Sequence, residues 1–461
     1  MHSIGRTITI AALLFASGCR IDTNQPPAAT AQGTTGGATA QSVSVTSVAA
    51  VASNGLTGEA SIADNFDGTA GIEPTTYGPN GTTGFPLSAG DGAAAFRMFC
   101  TAGQLVRDDP LVYPGQVGVS HLHQFFGNTG TNANSNYQSL RTSGGTTCGQ
   151  ASTPFNRSAY WFPAMLDGVG NVVKPDFIKL YYKRNSAKDP MCRPLSSSYQ
   201  SLGQCVDLPN GLRYVFGYNM TTGAPFGGGV FYSCVPSEDG TVSNGTATGR
   251  YSTIAQVVAA GCPVGAQLVI AASSPNCWDG LSLDTPDHRS HMAYANGPWY
   301  AGQLFNACTS DHPYPIPNME VLLQFTVDAN FAKWHLVSDE MVPGAVAGST
   351  FHMDYWEAWS PAVKGTWHQY CLNGQLSCSS GDLGNGTDLV NGGVPWPQGF
   401  PKHQLVSLTS IGGGATTTPP TTTVATQVCP DGSVIPLTQG CPVSAPVTRF
   451  NGSGKAIGRR K

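Results

Sequence analysis

Apolar and polar residues form short windows along this chain, and each window is bounded by Gly, Pro, Asn or Asp. Windows of roughly 4 to 8 residues that are rich in β-branched and aromatic side chains are typical of β-strands. The pattern predicts strands in seven such stretches: AYWFPAML, FIKLYYKR, LRYVFGYN, GGVFYSCV, AQLVIAAS, EVLLQFTV and STFHMDYWEAW.

One window has the character of a short helix instead. In STIAQVVAAG, residues 252–261, Ser252 is placed to cap the helix N-terminus and Gly261 to end the helix in the left-handed conformation. Glycine (57 residues) and proline (33 residues) make up about a fifth of the chain and favour turns over long helices. The chain is therefore predicted to be mainly β.

The N-terminus, MHSIGRTITIAALLFASGCR, has an arginine, a short apolar run and small residues before Cys19. This order is typical of a secretory signal peptide, and the run is too short to span a membrane. The segment ASGC resembles a bacterial lipobox, in which the cysteine is lipidated. We therefore predict an exported protein of the cell envelope or extracellular space, attached to a membrane only through a lipid on Cys19.

The cysteine count agrees with this interpretation. Of 13 cysteines, Cys19 is assigned to the lipid, and the remaining even number is enough for six disulfides in an oxidising compartment. The pairs Cys371/Cys378 and Cys429/Cys441 are close enough in sequence to form local disulfides.

Composition along the chain predicts five segments. They are a signal peptide (1–19), a low-complexity tether (20–84), a globular domain (85–412), a Thr/Pro linker (413–427) and a small cysteine-containing tail (428–461). We expect the globular segment to be a single disulfide-linked domain of the β-sandwich or jelly-roll kind, with long loops and few short helices.

Charged residues are only 11% of the chain, against roughly 25% in an average soluble protein. The net charge is −4, which excludes the basic surface of a nucleic-acid-binding protein and a polybasic membrane surface. Against this background, most of the ten histidines lie with aspartates in four short polar stretches: SHLHQFFGN, CWDGLSLDTPDHRSHMAY, CTSDHPYPIP and STFHMDYWEAW. This concentration predicts a polar functional site.

Two of these stretches have the spacing of metal ligands. Alternate residues of a strand share a face, so His121 with His123, and His352 with Asp354, could each chelate an ion from one side. Imidazole and carboxylate together suit zinc, copper, iron or manganese.

The same residues also fit metal-free chemistry, with histidine and aspartate as acid and base. The candidate catalytic residues are His121, His123, Asp287, His288, Arg289 and His291, and the candidate substrate-binding residues are Tyr294, His312 and Trp356. Arg289 would hold an anionic or polar group of the substrate. A third interpretation is a structural network in which these side chains cap loops and satisfy buried backbone groups.

Several ordered motifs carry a family resemblance. DDPLVYPGQVGVSHLHQFFGN, YWFPAML, CWDGLSLDTPDHRSHMAY, HPYPIPNMEV and STFHMDYWEAW resemble the DUF1996 family over roughly residues 90–372. Members are secreted proteins of fungi and bacteria, and fungal members are often joined to WSC carbohydrate-binding modules. The family pattern matches His121, His123, Asp287, His288, His291, His312, His352 and Asp354. It departs at Thr309, where proline usually follows the cysteine.

The resemblance implies a cell-wall or polysaccharide context. We therefore expect a His/Asp site that acts on extracellular glycans, with a metal ion or by acid–base catalysis. The alternative is a non-catalytic glycan-binding or scaffold module at the cell surface. The sequence does not decide between enzyme and binder, and metal capture is a third hypothesis.

Overall fold

The computed structural model describes residues 56–75, 94–225, 229–300, 305–392 and 402–411, and the backbone of short strands at 50–51, 85–86, 426–428 and 434–436. The predicted signal peptide with Cys19, and the Cys429/Cys441 pair, lie outside the described residues. The prediction of a mainly β fold is confirmed, and each of the seven predicted windows contains a strand.

The largest of the described sheets has seven strands and is here called the core sheet. Its neighbours are antiparallel except for Ala94–Cys100 and Leu376–Cys378, which run parallel. The spatial order is Val230–Val235, Gln267–Ser273, Asn318–Thr326, Phe177–Arg184, Ala94–Cys100, Leu376–Cys378 and Phe85–Pro86.

A five-stranded antiparallel sheet, here called the site sheet, packs against the core sheet. Its order is Arg213–Gly217, His352–Trp356, Ala159–Pro163, His123–Gly127 and Leu105–Val106. Tyr160 of the site sheet and Tyr182 of the core sheet share a hydrogen bond of 2.6 Å between their hydroxyls, in the middle of the apolar core. The two sheets thus form a β-sandwich, as the sequence predicts.

Alternation along the strand His352–Trp356 decides which side chains enter this core. Met353 and Tyr355 are fully buried in the main core between the sheets. His352, Asp354 and Trp356 therefore point to the outer face of the site sheet. A second apolar cluster, which includes Trp356, covers part of that face.

The remaining elements are short. The α-helices are Tyr137–Thr142, Ile254–Ala259 and Pro361–Trp367, and a π-helix spans His368–Leu372. Turns of 3₁₀ helix lie at Thr69–Gly71, Phe331–Lys333, Asp339–Met341 and Leu408–Ser410. A four-stranded sheet is formed by His335–Leu336, Met165–Leu166, Asn171–Lys174 and Gln404–Ser407. A three-stranded sheet is formed by Met292–Ala293, Cys277–Trp278 and Tyr314–Pro315. Three further strand pairs are Ala50–Val51 with Thr57–Gly58, Ile72–Pro74 with Thr387–Leu389, and Thr426–Val428 with Val434–Pro436.

The predicted helix at 252–261 is present but shorter, and its cap differs. It spans Ile254–Ala259, and Thr253 rather than Ser252 caps it by accepting a hydrogen bond from the Gln256 N–H. Gly261 follows the helix with φ +84°, so the predicted left-handed stop is confirmed.

Five disulfides join cysteines of the described residues: Cys100–Cys148, Cys192–Cys205, Cys234–Cys262, Cys277–Cys308 and Cys371–Cys378. The predicted local pair Cys371/Cys378 is therefore confirmed. Three of the others link the long loops to sheet strands, which limits the freedom of those loops in the unfolded chain.

Residues 56–75, part of the predicted tether, dock on the domain. The buried guanidinium of Arg141 forms a salt bridge of 2.6 Å with Asp64, and Arg157 donates a hydrogen bond to Asn65. Two buried arginines thus hold this segment, together with the packing of Leu56, Ile62, Phe66 and Ile72 against the apolar clusters. None of the helices in the described ranges has both the length and the apolar character to cross a membrane.

Candidate metal centre

The site forms where two strands of the site sheet present histidines on its outer face. His123 begins the strand His123–Gly127, and His352 begins the strand His352–Trp356. The His-x-His spacing predicts that His121 and His123 lie on one strand, but His121 lies in the irregular segment before it. Ser120 N–H donates to the Arg107 carbonyl at 3.0 Å and fixes that segment beside the strand.

The three imidazoles of His121, His123 and His352, here called the three-histidine group, converge. Ring centroids are 4.1 Å apart for His121 and His123, and 5.1 Å apart for His121 and His352. One nitrogen from each ring can be chosen so that all three lie within 4.8 Å of one another. This group can hold a metal ion, whereas Asp354 is not part of it.

Backbone carbonyls fix which ring nitrogen carries the proton in His123 and His352. Nδ1 of His123 is 3.0 Å from the Asp108 carbonyl, and Nδ1 of His352 is 3.0 Å from the Thr350 carbonyl. A carbonyl only accepts, so each Nδ1 carries the proton and each Nε2 keeps its lone pair. The Nε2 atoms of His121 and His123 are buried and lack a hydrogen-bond partner. Metal-binding histidines commonly have this arrangement.

The environment keeps these rings neutral. Burial lowers the pKa of His123 to about 4, against the favourable effect of the Asp108 carbonyl. Burial and the neighbouring His123 lower the pKa of His352 to about 3. Burial and the two other histidines hold the pKa of His121 well below its ordinary value. Neutral imidazole is the form that binds metals.

Two buried carboxyl groups lie beside the group. Burial, reinforced by the charge of Asp109, raises the pKa of Asp354 well above its ordinary value. Burial also raises the pKa of Asp109, although the N–H groups of Leu111 and Val112 donate to it. Asp354 Oδ2 has no hydrogen-bond partner. Asp354 is therefore a buried carboxylic acid two residues from a candidate ligand.

Arg289 is held at the same place by main-chain acceptors. Its guanidinium donates to the carbonyls of Gly217 at 3.1 Å and Tyr218 at 2.9 Å. Its charge acts on both Asp354 and His352. Of the residues predicted in the stretch DHRSH, Arg289 is the one that the structure brings to the three-histidine group.

The other candidates of that stretch bind their own loop. His291 contacts Thr285 Oγ1 and the Arg213 carbonyl, both at 2.9 Å, so neither ring nitrogen is free. His288 Nδ1 lies 2.8 Å from an oxygen of Asp284. Asp287 accepts hydrogen bonds from Thr285, Arg289 and Ser290. Burial acts to raise the pKa of Asp287, but these hydrogen bonds together outweigh it and hold the pKa below its ordinary value. This network fixes the loop that carries Arg289.

The predicted substrate-binding residues lie around this loop. His312 Nε2 is 2.9 Å from the Ser290 carbonyl, and the Tyr294 hydroxyl donates to the Ser273 carbonyl at 3.0 Å. Trp356 is 6% exposed, and the guanidinium of Arg213 stacks on its ring at 4.8 Å. None of the three belongs to the three-histidine group, and two of them are engaged with backbone carbonyls.

Two residues near the site were missed by sequence reasoning, Asp109 and Arg107. Adjacent charges in RDDP, in a chain with 11% charged residues, were the available signal. A separate cleft of about 590 Å³ lies between residues 56–61 and 204–210 and contains none of the predicted site residues.

The family comparison can now be set beside this geometry. The model of a domain of unknown function, DUF1996, matches residues 109–359, more than half of the chain. The chain belongs to the DUF1996 family. The DUF1996 match includes the whole three-histidine group, and it begins two residues after Arg107. No curated protein and no solved structure matches the chain.

Proposed function

We propose that this DUF1996 protein binds one divalent transition-metal ion at the three-histidine group and uses it to act on extracellular glycans. The observation that carries the proposal is the convergence of three neutral imidazoles within 4.8 Å, two of them oriented by backbone carbonyls.

Zinc fits this donor set best among the metals that imidazole binds. Catalytic zinc sites have three protein ligands and a fourth position for water or substrate. Zinc–nitrogen bonds are about 2.0–2.1 Å long, so imidazole nitrogens within 4.8 Å of one another close on one ion by small side-chain rotations. Bound zinc supplies a water that ionises near neutral pH and can attack an electrophilic centre.

The chain's own groups have distinct roles in this proposal. The carbonyls of Asp108 and Thr350 orient the ligands, and buried Asp354 supplies a proton-bearing oxygen beside the ion. Arg289, fixed by two carbonyls, holds a polar group of the substrate. A protonated acid beside a site where His121, His123 and His352 would hold a metal ion suits hydrolysis of a glycosidic or ester bond.

Three features support extracellular glycans as the substrate. Tyr113 is 37% exposed. Burial raises the pKa of Tyr113, and the charge of Asp109 adds to this effect, so the ring lies near the site. A sugar can stack on such an exposed aromatic ring. The five disulfides are typical of exported proteins. The signal-like N-terminus and Cys19 agree with lipid-anchored export.

Elemental analysis of the purified full chain tests the metal. We expect close to one equivalent of zinc, or of another transition metal, in the parent protein and less than a tenth of that in a His121→Ala/His123→Ala variant. His335→Ala is the matched control, because His335 bonds Glu340 away from the group. Absence of metal from the parent, even after zinc, copper or manganese is added, would refute the proposal.

The alternative, a non-catalytic glycan-binding module, is distinguished by products. The metal-loaded protein is incubated with a panel of cell-wall polysaccharides, and released sugars are measured. Glycan binding without released product, unchanged in the double variant, favours the binding module.

A further inference from the structure

Arg107 is set apart from the other arginines of the described residues. From Arg97 to Arg289, each of the others donates a hydrogen bond or stacks on an aromatic ring. Arg107 is partly buried, and its guanidinium has no hydrogen bond, ion pair or ring contact within the described ranges. A guanidinium beside a candidate site whose donors have no protein partner is a candidate for ligand binding.

The backbone places Arg107 next to the three-histidine group. It directly follows the strand Leu105–Val106, in which Val106 lies opposite His123. Its carbonyl accepts the Ser120 N–H at 3.0 Å, so Arg107 is also the neighbour of the segment that carries His121. The positive charge of Arg107 accordingly contributes to lowering the pKa of His121.

This is also the open side of the group. His123 and His352 are buried, whereas His121 is partly exposed. A ligand that approaches the group from solvent therefore meets His121, whose ring lies within electrostatic range of the Arg107 guanidinium.

The carboxylates beside Arg107 in sequence do not neutralise it by contact. Asp108 accepts the N–H groups of Gly118 and Ala133, at 2.8 and 3.0 Å. Asp109 accepts those of Leu111 and Val112, both at 2.9 Å. Both carboxylates are thus hydrogen-bonded to backbone N–H groups and not to Arg107. The guanidinium keeps its donors free for an oxyanion, with which arginine makes paired hydrogen bonds.

We propose that Arg107 is the specificity-determining residue of the site and binds an anionic group of the ligand, a carboxylate or a phosphate, at the open edge of the three-histidine group. The inference rests on the proposed function for the identity of the site and narrows its substrate to acidic glycans. Uronic acids and phosphorylated sugars are the two sources of such a group.

Calorimetric titration of the zinc-loaded full chain tests this, with glucuronate, inorganic phosphate and neutral glucose as probes. We expect glucuronate or phosphate to bind more tightly than glucose, and the tighter anion identifies the source. Arg107→Gln should weaken anion binding at least tenfold with zinc content unchanged, and Arg107→Lys should retain part of it. Because the side chain has no hydrogen bond, ion pair or ring contact within the described residues, and Gln preserves much of its aliphatic stem, Arg107→Gln should keep the thermal midpoint of the parent.

Arg250→Gln is the matched control, since Arg250 is exposed and stacks on Phe231 at 4.2 Å. Equal anion affinity in the parent and Arg107→Gln, or no preference for the anions over glucose, overturns the inference. If the parent binds no metal, the same titration is made on the metal-free protein. Anion binding that depends on Arg107 then upholds the inference, although the proposed metal centre fails. Absence of such anion binding overturns both proposals.

Discussion

His368 makes the fold sensitive to acid for a reason that can be measured apart from the site. Its Nδ1 donates to the Lys364 carbonyl at 2.9 Å, and its Nε2 accepts the Leu208 N–H at 3.1 Å. The ring is buried and stacks on Trp367 at 3.9 Å. Both nitrogens are engaged in the neutral form, and a proton on Nε2 would break the bond from Leu208.

The size of the effect follows from linkage. Burial lowers the pKa of His368 to about 3 from an ordinary value of 6.5. Between these values the unfolded chain binds a proton that the folded protein does not, so stability falls as pH falls below 6.5. At pH 5.0, about 1.5 units below the unfolded pKa, the loss from this residue is about 2 kcal/mol.

Replacing His368 by Gln removes the titration. We expect the free energy of unfolding of His368→Gln to lie below that of the parent at pH 7.5, and the gap to shrink by about 2 kcal/mol at pH 5.0. Chemical denaturation with disulfides intact, at both pH values, gives the double difference and cancels all other titrating groups.

His335→Gln is a control with the opposite sign. Burial opposes protonation of His335, but its hydrogen bonds with the Lys333 carbonyl and Glu340 prevail, and the net effect is a raised pKa. The stability from His335 is full below the unfolded pKa and is lost as pH rises through the folded one, so the gap should widen at pH 5.0. Parallel losses in the parent and His368→Gln would refute this reasoning.

Two further predictions concern the fold that supports the site. Lys364→Met removes the ammonium 2.8 Å from buried Glu357 and should cost about 3–5 kcal/mol in denaturant unfolding, while adding Glu357→Gln should recover part of the loss. Gly127→Ala should cost roughly 2–5 kcal/mol, because φ is +82° and a Cβ would collide with the Ser158 carbonyl. Gly115→Ala, with φ +75° but open space around it, should cost less, and an equal loss would contradict the collision argument.

Windows rich in β-branched and aromatic residues, bounded by turn-forming residues, were enough to predict the strands, because buried strands concentrate these side chains. The strand Phe177–Arg184 coincides with its predicted window. The helix cap was wrong by one residue, since Ser252 and Thr253 are both good caps and the choice depends on backbone direction. The order of strands could not be predicted, because it depends on contacts between distant parts of the chain.

The candidate site was likewise predictable from the sequence only in part. The His-x-His and His-x-Asp spacings led to His121, His123 and His352, which the structure brings into one group. Sequence alone does not separate these from His291, because the difference lies in whether both ring nitrogens have hydrogen-bond partners, as in His291, or only one, as in His123 and His352. The catalytic and substrate-binding roles assigned to these residues stay predictions.

The strand that carries His352 lies between Arg213–Gly217 and Ala159–Pro163, inside the site sheet rather than at its edge. When this strand pairs with its two neighbours, residues 352–356 meet residues 159–163 and 213–217, which are synthesised earlier. A chain that has not completed this step has two neighbouring histidines and no third. On the proposed function, metal occupancy would therefore report finished folding: the ion would be loaded after the sheet closes, and a misfolded or truncated molecule would fail to retain it.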